Sequence, residues 1–153
     1  MTSGDELRTT MRRFPAGVAV LTLRLPFGVT IGSLVSVSLE PALVSVAIGL
    51  DSQAHELIKD EGGFAISLLS AEQEALAQHF ARSVPPIALF EGVDVRDGAR
   101  GPLLEGALGW LECEVRHAYP AGDHTLFVGE VERAEVGGDG AGLVYRHSGY
   151  SPA

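Results

Sequence analysis

Residues 28–50 read GVTIGSLVSVSLEPALVSVAIGL, two runs of apolar and β-branched residues separated by Glu40-Pro41. β-branched side chains suit a pleated, half-buried backbone, and proline interrupts a ladder because it has no N–H to donate. The stretch therefore predicts two strands, about 29–38 and 42–50. The first carries Thr30, Ser33, Ser36 and Ser38 together with Gly28 and Gly32. Serine and glycine bury little apolar surface, so a strand of this composition fills a core poorly. It predicts that something other than a side chain lies against this backbone.

The segments around it read as short elements. Ser3-Gly4-Asp5-Glu6 has the order of a capping box, and Leu7, Met11 and Phe14 follow at helical spacing, which predicts an amphipathic helix over 4–14. Residues 17–25 predict a strand, and Pro26-Phe27-Gly28 a turn. Ser52 is a candidate N-cap for a two-turn helix in QAHELIKD, which Gly62-Gly63 ends. A strand is expected over 64–69, and Ser70 to Gln73 forms a second capping box ahead of a helix with Leu76 and Phe80 one turn apart. Residues 83–106 read as irregular, with one short strand near Val93. A long strand over 107–119 turns at 120–123 into a hairpin partner over 124–136, with Leu111, Cys113 and Val115 on one face and Glu112, Glu114 and Arg116 on the other. GGDGAG at 137–142 follows, then a last strand at 143–145. About seven strands and three short helices, without regular alternation, predict a mainly β, antiparallel barrel with short helices at its openings.

Length and charge narrow the function. A chain of 153 residues suits one domain with its own core, expected over 1–153. The net charge of -9 excludes a nucleic-acid surface, which needs clustered Lys and Arg to replace counterions. The single lysine is Lys59, so an anionic ligand must be held by backbone N–H groups, hydroxyls or an arginine. One cysteine, Cys113, excludes an internal disulfide and a cysteine-rich metal cluster. The polar N-terminus lacks a signal-peptide pattern, and no apolar run reaches the roughly 20 residues of a membrane span, so a cytoplasmic protein without a membrane anchor is expected.

Few motifs of covalent catalysis are present. GGDGAG is not a dinucleotide fingerprint, because the third glycine would fall on Leu143. The five histidines stand singly, so no metal site is expected, and Cys113 reads as a buried thiol between Leu111 and Val115. Two features remain. The junction Leu50-Asp51-Ser52-Gln53 opens a helix, whose free N–H groups and positive dipole end suit a phosphate; Asp51 opposes an anion there, and simple capping is the alternative. Gly122-Asp123-His124-Thr125 is a tight turn that leaves His124 at a rim, either as a ligand contact or as an ordinary turn residue.

Together these pieces resemble the flavin reductase-like family, whose members use an FMN-binding split barrel and include the reductase components of two-component flavin monooxygenases. The matching segments are FPAGVAVLT at 14–22, GVTIGSLVSVSLEPALVSVAI, HELI, GGFAISLL, Gln73 with Leu76 and His79-Phe80-Ala81-Arg82, then ALGWLECEV, GDHTLFVGEVE and LVYRHSGY. They run in order over about residues 7–150. The chain departs from the family at Gly32 and Ser67, where amide side chains are common, and at Ala54, where a hydroxyl is common.

The resemblance implies an antiparallel split barrel of Greek-key type, forming a homodimer with flavin near the interface. It implies NAD(P)H-dependent reduction of FMN or FAD, with NADH or NADPH as co-substrate and a flavin-dependent monooxygenase receiving the reduced flavin. Thr30, Ile31, Gly32, Ser33 and Leu34 would meet the isoalloxazine edge, and Ser36, Ser38 and Leu39 would continue that wall. Leu50, Asp51, Ser52 and His55 would lie at the phosphate end with Arg82. His124, as the catalytic residue, and Tyr145, Arg146 and His147 would lie near the nicotinamide. The missing polar groups at Gly32, Ala54 and Ser67 motivate an alternative, a non-enzymatic flavin- or haem-binding module on the same barrel. An oxidase of the pyridoxamine-phosphate type fits less well, because its phosphate cluster needs more basic residues than this chain has.

Overall fold

The computed structural model describes residues 1–153. Helix α1 spans Gly4–Met11 and starts from the expected capping box: Glu6 N donates to Ser3 Oγ at 3.1 Å, and Ser3 N donates to Glu6 Oε2 at 2.9 Å. It stops before residue 14, and none of its side chains is buried. Five strands follow: β1 (Ala16–Gly17), β2 (Ala19–Leu23), β3 (Phe27–Ile31), β4 (Val35–Leu39) and β5 (Ala42–Gly49). Then come helix α2 (Gln53–Glu61), ended by Gly62 in the left-handed conformation, and strand β6 (Gly63–Leu68). The second capping box opens a 3₁₀ turn that runs into helix α3 (Glu74–Phe80). The remaining strands are β7 (Val95–Arg96), β8 (Leu103–Leu104), β9 (Gly109–Ala121), β10 (His124–Val136), β11 (Leu143–Arg146) and β12 (Gly149–Pro152).

Seven strands form one antiparallel sheet in the order β3-β2-β6-β9-β10-β5-β4. Its two edges, β3 and β4, are consecutive in the chain and joined only by Gly32, Ser33 and Leu34. Three residues span about 10 Å at most, so the edges meet and the sheet curls into a barrel split at this point. The split is stitched by Ser33, whose hydroxyl donates to Ala47 O at 3.1 Å and accepts from Ala47 N at 3.0 Å.

Strand β2 is buried along its whole length. Successive side chains of a strand point to opposite faces, so this pattern requires cover on both sides. Leu21 joins Val46, Ile58, Phe64, Ile66 and Phe127 inside the barrel, under α2. Val20 joins Leu69, Phe80, Leu89 and Leu104 on the outer face, under α3. Each such side chain contributes about 1.5–3 kcal/mol on burial.

Four further expectations change. The single strand expected over 29–38 is two, β3 and β4, broken at residues 32–34 and placed at opposite edges of the sheet, and Phe27 and Gly28 of the expected turn belong to β3. The irregular stretch holds two short strands, β7 and β8, paired with each other rather than one near Val93. A final strand, β12, pairs with β11, which is itself paired with β1. Glu112 does not face solvent with Glu114 and Arg116: it is 4% exposed and accepts from Arg100 N at 2.9 Å. The 97–102 loop covers it, and close approach of backbones makes this possible. A side chain at Gly101 would come within 2.9 Å of the Thr22 and Leu23 backbone.

Candidate active site

A groove runs along the split. One end is built by α2 and α3. Ser52 has the extended conformation of an N-cap, and its Oγ accepts from Ala54 N at 3.2 Å. That bond uses an oxygen lone pair, so the hydroxyl proton remains available to a ligand. Thr30 Oγ1 donates to Ala77 O at 2.6 Å and ties α3 to β3. The residues that leave α3, Ala81 and Arg82, are thereby set beside Gly28 and Ser52. Together they line a cavity of about 460 Å³ with Asp51 and Val84. A Cβ on Gly28 would stand 2.9 Å from the Phe80 ring, so the glycine lets that ring form the floor.

Ala81 also lines the next cavity, of about 230 Å³, with Thr30, Ile31, Gly32, Tyr145 and Tyr150. The two tyrosine rings lie 5.0 Å apart, tilted at 56°. Gly32 and Tyr145 are shared in turn with a third cavity of about 480 Å³, lined by Met11, Phe14, Leu34, Arg146 and His147. His147 and Ser148 both have positive φ, 51° and 60°, as the tight turn between β11 and β12 requires. His147 N donates to Arg12 O at 2.8 Å, and Arg146 Nε to Arg13 O at 3.2 Å, so this turn is held against the end of α1. The groove therefore changes character along its length, from a hydroxyl, a guanidinium and a helix start, past an aromatic and apolar wall, to a cavity that also carries Arg8, Arg12, Arg146 and His147.

The structure thus brings together Thr30, Ile31, Gly32, Leu34, Asp51, Ser52, Arg82, Tyr145, Arg146 and His147. It sets others apart. Ser33 is bonded to Ala47, as above. Ser36, Ser38 and Leu39 lie on edge strand β4, where Leu39 is 86% exposed, and Leu50 is exposed in the turn before α2. His55 is buried, with Nε2 at 2.6 Å from Thr125 Oγ1, Nδ1 at 3.1 Å from Glu56 Oε1 and its ring against Phe127. His124 lines none of the three cavities. It sits opposite Gly49, and a Cβ built there would be 3.9 Å from His124 Nε2 and 3.2 Å from Asp51 Oδ1. His124 is therefore beside the Asp51 end of the groove, and it shares no cavity with Tyr145, Arg146 and His147.

The electrostatics are mild. His124 Nδ1 lies 2.6 Å from Asp123 Oδ1, and this bond holds the Asp123 carboxyl below its usual range. Burial pushes the Cys113 thiol up to about 12, which makes it inert as a nucleophile. No three His, Cys, Asp or Glu side chains cluster as a metal site. Of the positions that depart from the family pattern, only Gly32 reaches the groove; Ala54 and Ser67 are fully buried, and Ser67 Oγ accepts from Leu104 N at 3.0 Å.

Sequence reasoning missed Met11, Phe14, Ala81 and Tyr150 as groove residues. Met11 gave a signal, because it lies on the apolar face of a helix that buries nothing, and Phe14 follows it at helical spacing just beyond the helix end. Tyr150 gave none, because β12 was not foreseen.

A family model described as "Flavin reductase like domain" matches residues 11–153. An NADH-dependent FAD reductase from Streptomyces globisporus is 42% identical over 132 residues, which cover 82% of this chain and 72% of the relative. The reductase component of 4-hydroxyphenylacetate 3-monooxygenase from Thermus thermophilus is 37% identical over 150 residues, 95% of this chain and 94% of the relative. The solved structure of Streptomyces globisporus C-1027 NADH:FAD oxidoreductase SgcE6 in complex with NAD and FAD fragments superposes with a TM-score of 0.90 at 37% identity, covering 95% of this chain and 90% of that one.

Proposed function

The chain belongs to the flavin reductase-like family, and from that premise we propose that it is an NAD(P)H-dependent flavin reductase that transfers hydride to FMN or FAD. The observation that carries the reading is the run of adjoining cavities, with phosphate-binding chemistry in one and an aromatic, apolar wall in the next. The residues present fit a flavin mononucleotide unit: Ser52 and Arg82 offer donors to a phosphate, and Thr30 to Gly32 offer only backbone and small side chains to a ring.

When bound, flavin and nicotinamide supply the redox chemistry themselves, hydride passing from the reduced nicotinamide to the flavin. The chain has then to bind, orient and exclude water. Ser52, with the first-turn amides of α2, and Arg82 anchor the phosphate. Backbone groups of residues 30–32 orient the ring edge, and Tyr145 and Tyr150 close one side. We assign His124, oriented by Asp123, to the nicotinamide; Tyr145, Arg146 and His147, which share no cavity with it, take another part of the nicotinamide nucleotide. No tuned acid–base pair is needed for a hydride transfer between the two cofactors.

We take residues 1–153 as a single domain, supported by the family match over 11–153 and by one sheet serving both core clusters. The flavin-dependent partner is a monooxygenase component, as the relatives' names suggest. A homodimer is supported by exposed apolar residues on β4. No helix is long and apolar enough to cross a membrane, and the buried, unpaired Cys113 suits a cytoplasmic setting.

Purified protein should oxidise NADH or NADPH only when FMN or FAD is supplied or bound, followed at the nicotinamide absorbance band. No flavin-dependent turnover with either nucleotide would overturn the reading.

A further inference from the structure

The start of α2 and the start of β10 are joined by one side-chain hydrogen bond, between His55 Nε2 and Thr125 Oγ1 at 2.6 Å. We propose that His55, acting through Thr125, is a positioning residue for His124 and so sets how well the chain binds the nicotinamide. The inference rests on the assignment of His124 to the nicotinamide.

The hairpin end that carries His124 needs an anchor. Strand β9 has β6 as its second neighbour only as far as Glu114, and residues 116–121 beyond it are all exposed. The tip of the hairpin is therefore held on one side only, by the end of β5: His124 stands opposite Gly49, and Leu50 N donates to Asp123 O at 3.0 Å. A register shift between Val128 and Gly129 separates residues 124–128 from the long ladder behind them. A bond from α2 to Thr125 fastens this end where the sheet does not.

The side chains alternate here. Thr125 and Phe127 are buried, whereas His124 is half-exposed. Successive side chains of a strand point to opposite faces, so Thr125 reaches α2 while His124 reaches the rim. The planar peptide between them passes a shift of Thr125 on to His124. His55 is itself fixed. Its ring is buried, with its centroid 5.6 Å from that of Phe127, and Nδ1 lies 3.1 Å from Glu56 Oε1. A carboxylate only accepts, so in the neutral ring Nδ1 carries the proton, Nε2 is the acceptor, and the Thr125 hydroxyl donates. Burying an imidazole is costly unless its nitrogens are paired, and an aliphatic side chain would fill this place in the core without that cost. What the imidazole adds is direction, a single bond aimed at one atom of β10.

The test is a double-mutant cycle, read as the KM for NADH at saturating flavin and, separately, as flavin affinity. Thr125→Val keeps the shape and removes the donor. It should raise the KM about fivefold and leave flavin binding within about twofold, as loss of one hydrogen bond away from the flavin implies. Thr125→Ser, which keeps the donor, should restore most of the loss. His124→Ala should raise the KM as well, and Thr125→Val added to it should raise it no further, because Thr125 acts only through His124. A full effect of Thr125→Val in the His124→Ala background, or an equal loss of flavin affinity, would give the bond a merely structural role and overturn the inference. A raised KM in His124→Ala with none in Thr125→Val overturns it too and leaves the assignment of His124 standing. An unmoved KM in both overturns both.

Discussion

Ser52 serves two partners through one hydroxyl: its lone pair caps α2, and its proton faces the groove. Aspartate caps a helix as well as serine does, but it repels a phosphate. Ser52→Asp should therefore keep the melting temperature of the apoprotein and weaken flavin binding about ten- to hundredfold, as loss of a hydrogen bond to a charged group implies. A parallel loss of thermal stability would show that the hydroxyl matters only as a cap. Asp123 acts on a smaller scale. It is exposed, and its bond to His124 Nδ1 orients the ring in the turn. Asp123→Ala should raise the KM for NADH about fivefold without moving flavin affinity, and Asp123→Asn, which keeps an acceptor, should restore most of it. Equal losses in both ligands would argue against the assigned place of His124.

At the scale of elements, loops hold strands in place where the sheet alone does not. The 97–102 loop is fastened at Arg100, whose backbone N–H meets buried Glu112 and whose guanidinium meets both oxygens of Glu132 on β10, at 2.8 and 3.1 Å. The hydrogen bond from Arg100 is the largest influence on Glu132 and keeps its carboxyl below the usual carboxylate range. A carboxyl with a depressed folded-state pKa stabilises the fold above its unfolded value and loses that contribution as the pH falls through the folded value. The melting temperature should therefore drop as the pH is lowered below about 4, and Glu132→Gln should remove part of that drop. An unchanged acid profile in the variant would show that the pair contributes nothing measurable. The same loop explains why the alternation along β9 misleads: Glu112 has the outward parity of a surface strand, and a distant segment folds over it.

For the whole molecule, the split of the barrel is the organising feature. Both sheet edges lie within residues 27–39, and the cavities of the groove open beside them. Strand β4 leaves Val35, Val37 and Leu39 exposed at 56%, 52% and 86%, on an edge with unpaired backbone groups. Such an edge is a liability unless another chain covers it. Light scattering after size exclusion should give twice the 16.1 kDa chain mass, and Val37→Asp with Leu39→Asp should shift it to the single value. A monomeric wild-type protein would remove the dimer from the proposal.

The sequence by itself determined the strand-rich, antiparallel character of this protein, its capped helices, the hydroxyl-rich edge and the family. These follow from local pattern: β-branched runs, capping residues and turn signals act over a few positions. Only the tertiary structure decided how the hydroxyls are used. The hydroxyls of Thr30 and Ser33, in the segment expected to meet the ring edge, are bonded to Ala77 and Ala47, 47 and 14 positions away. His55 looked like a helix-start ligand and faces Thr125 in the core. Whether a polar side chain faces a ligand or a partner depends on which distant segment folds onto it. Sequence spacing carries no record of that, because the contact is made in space and not along the chain.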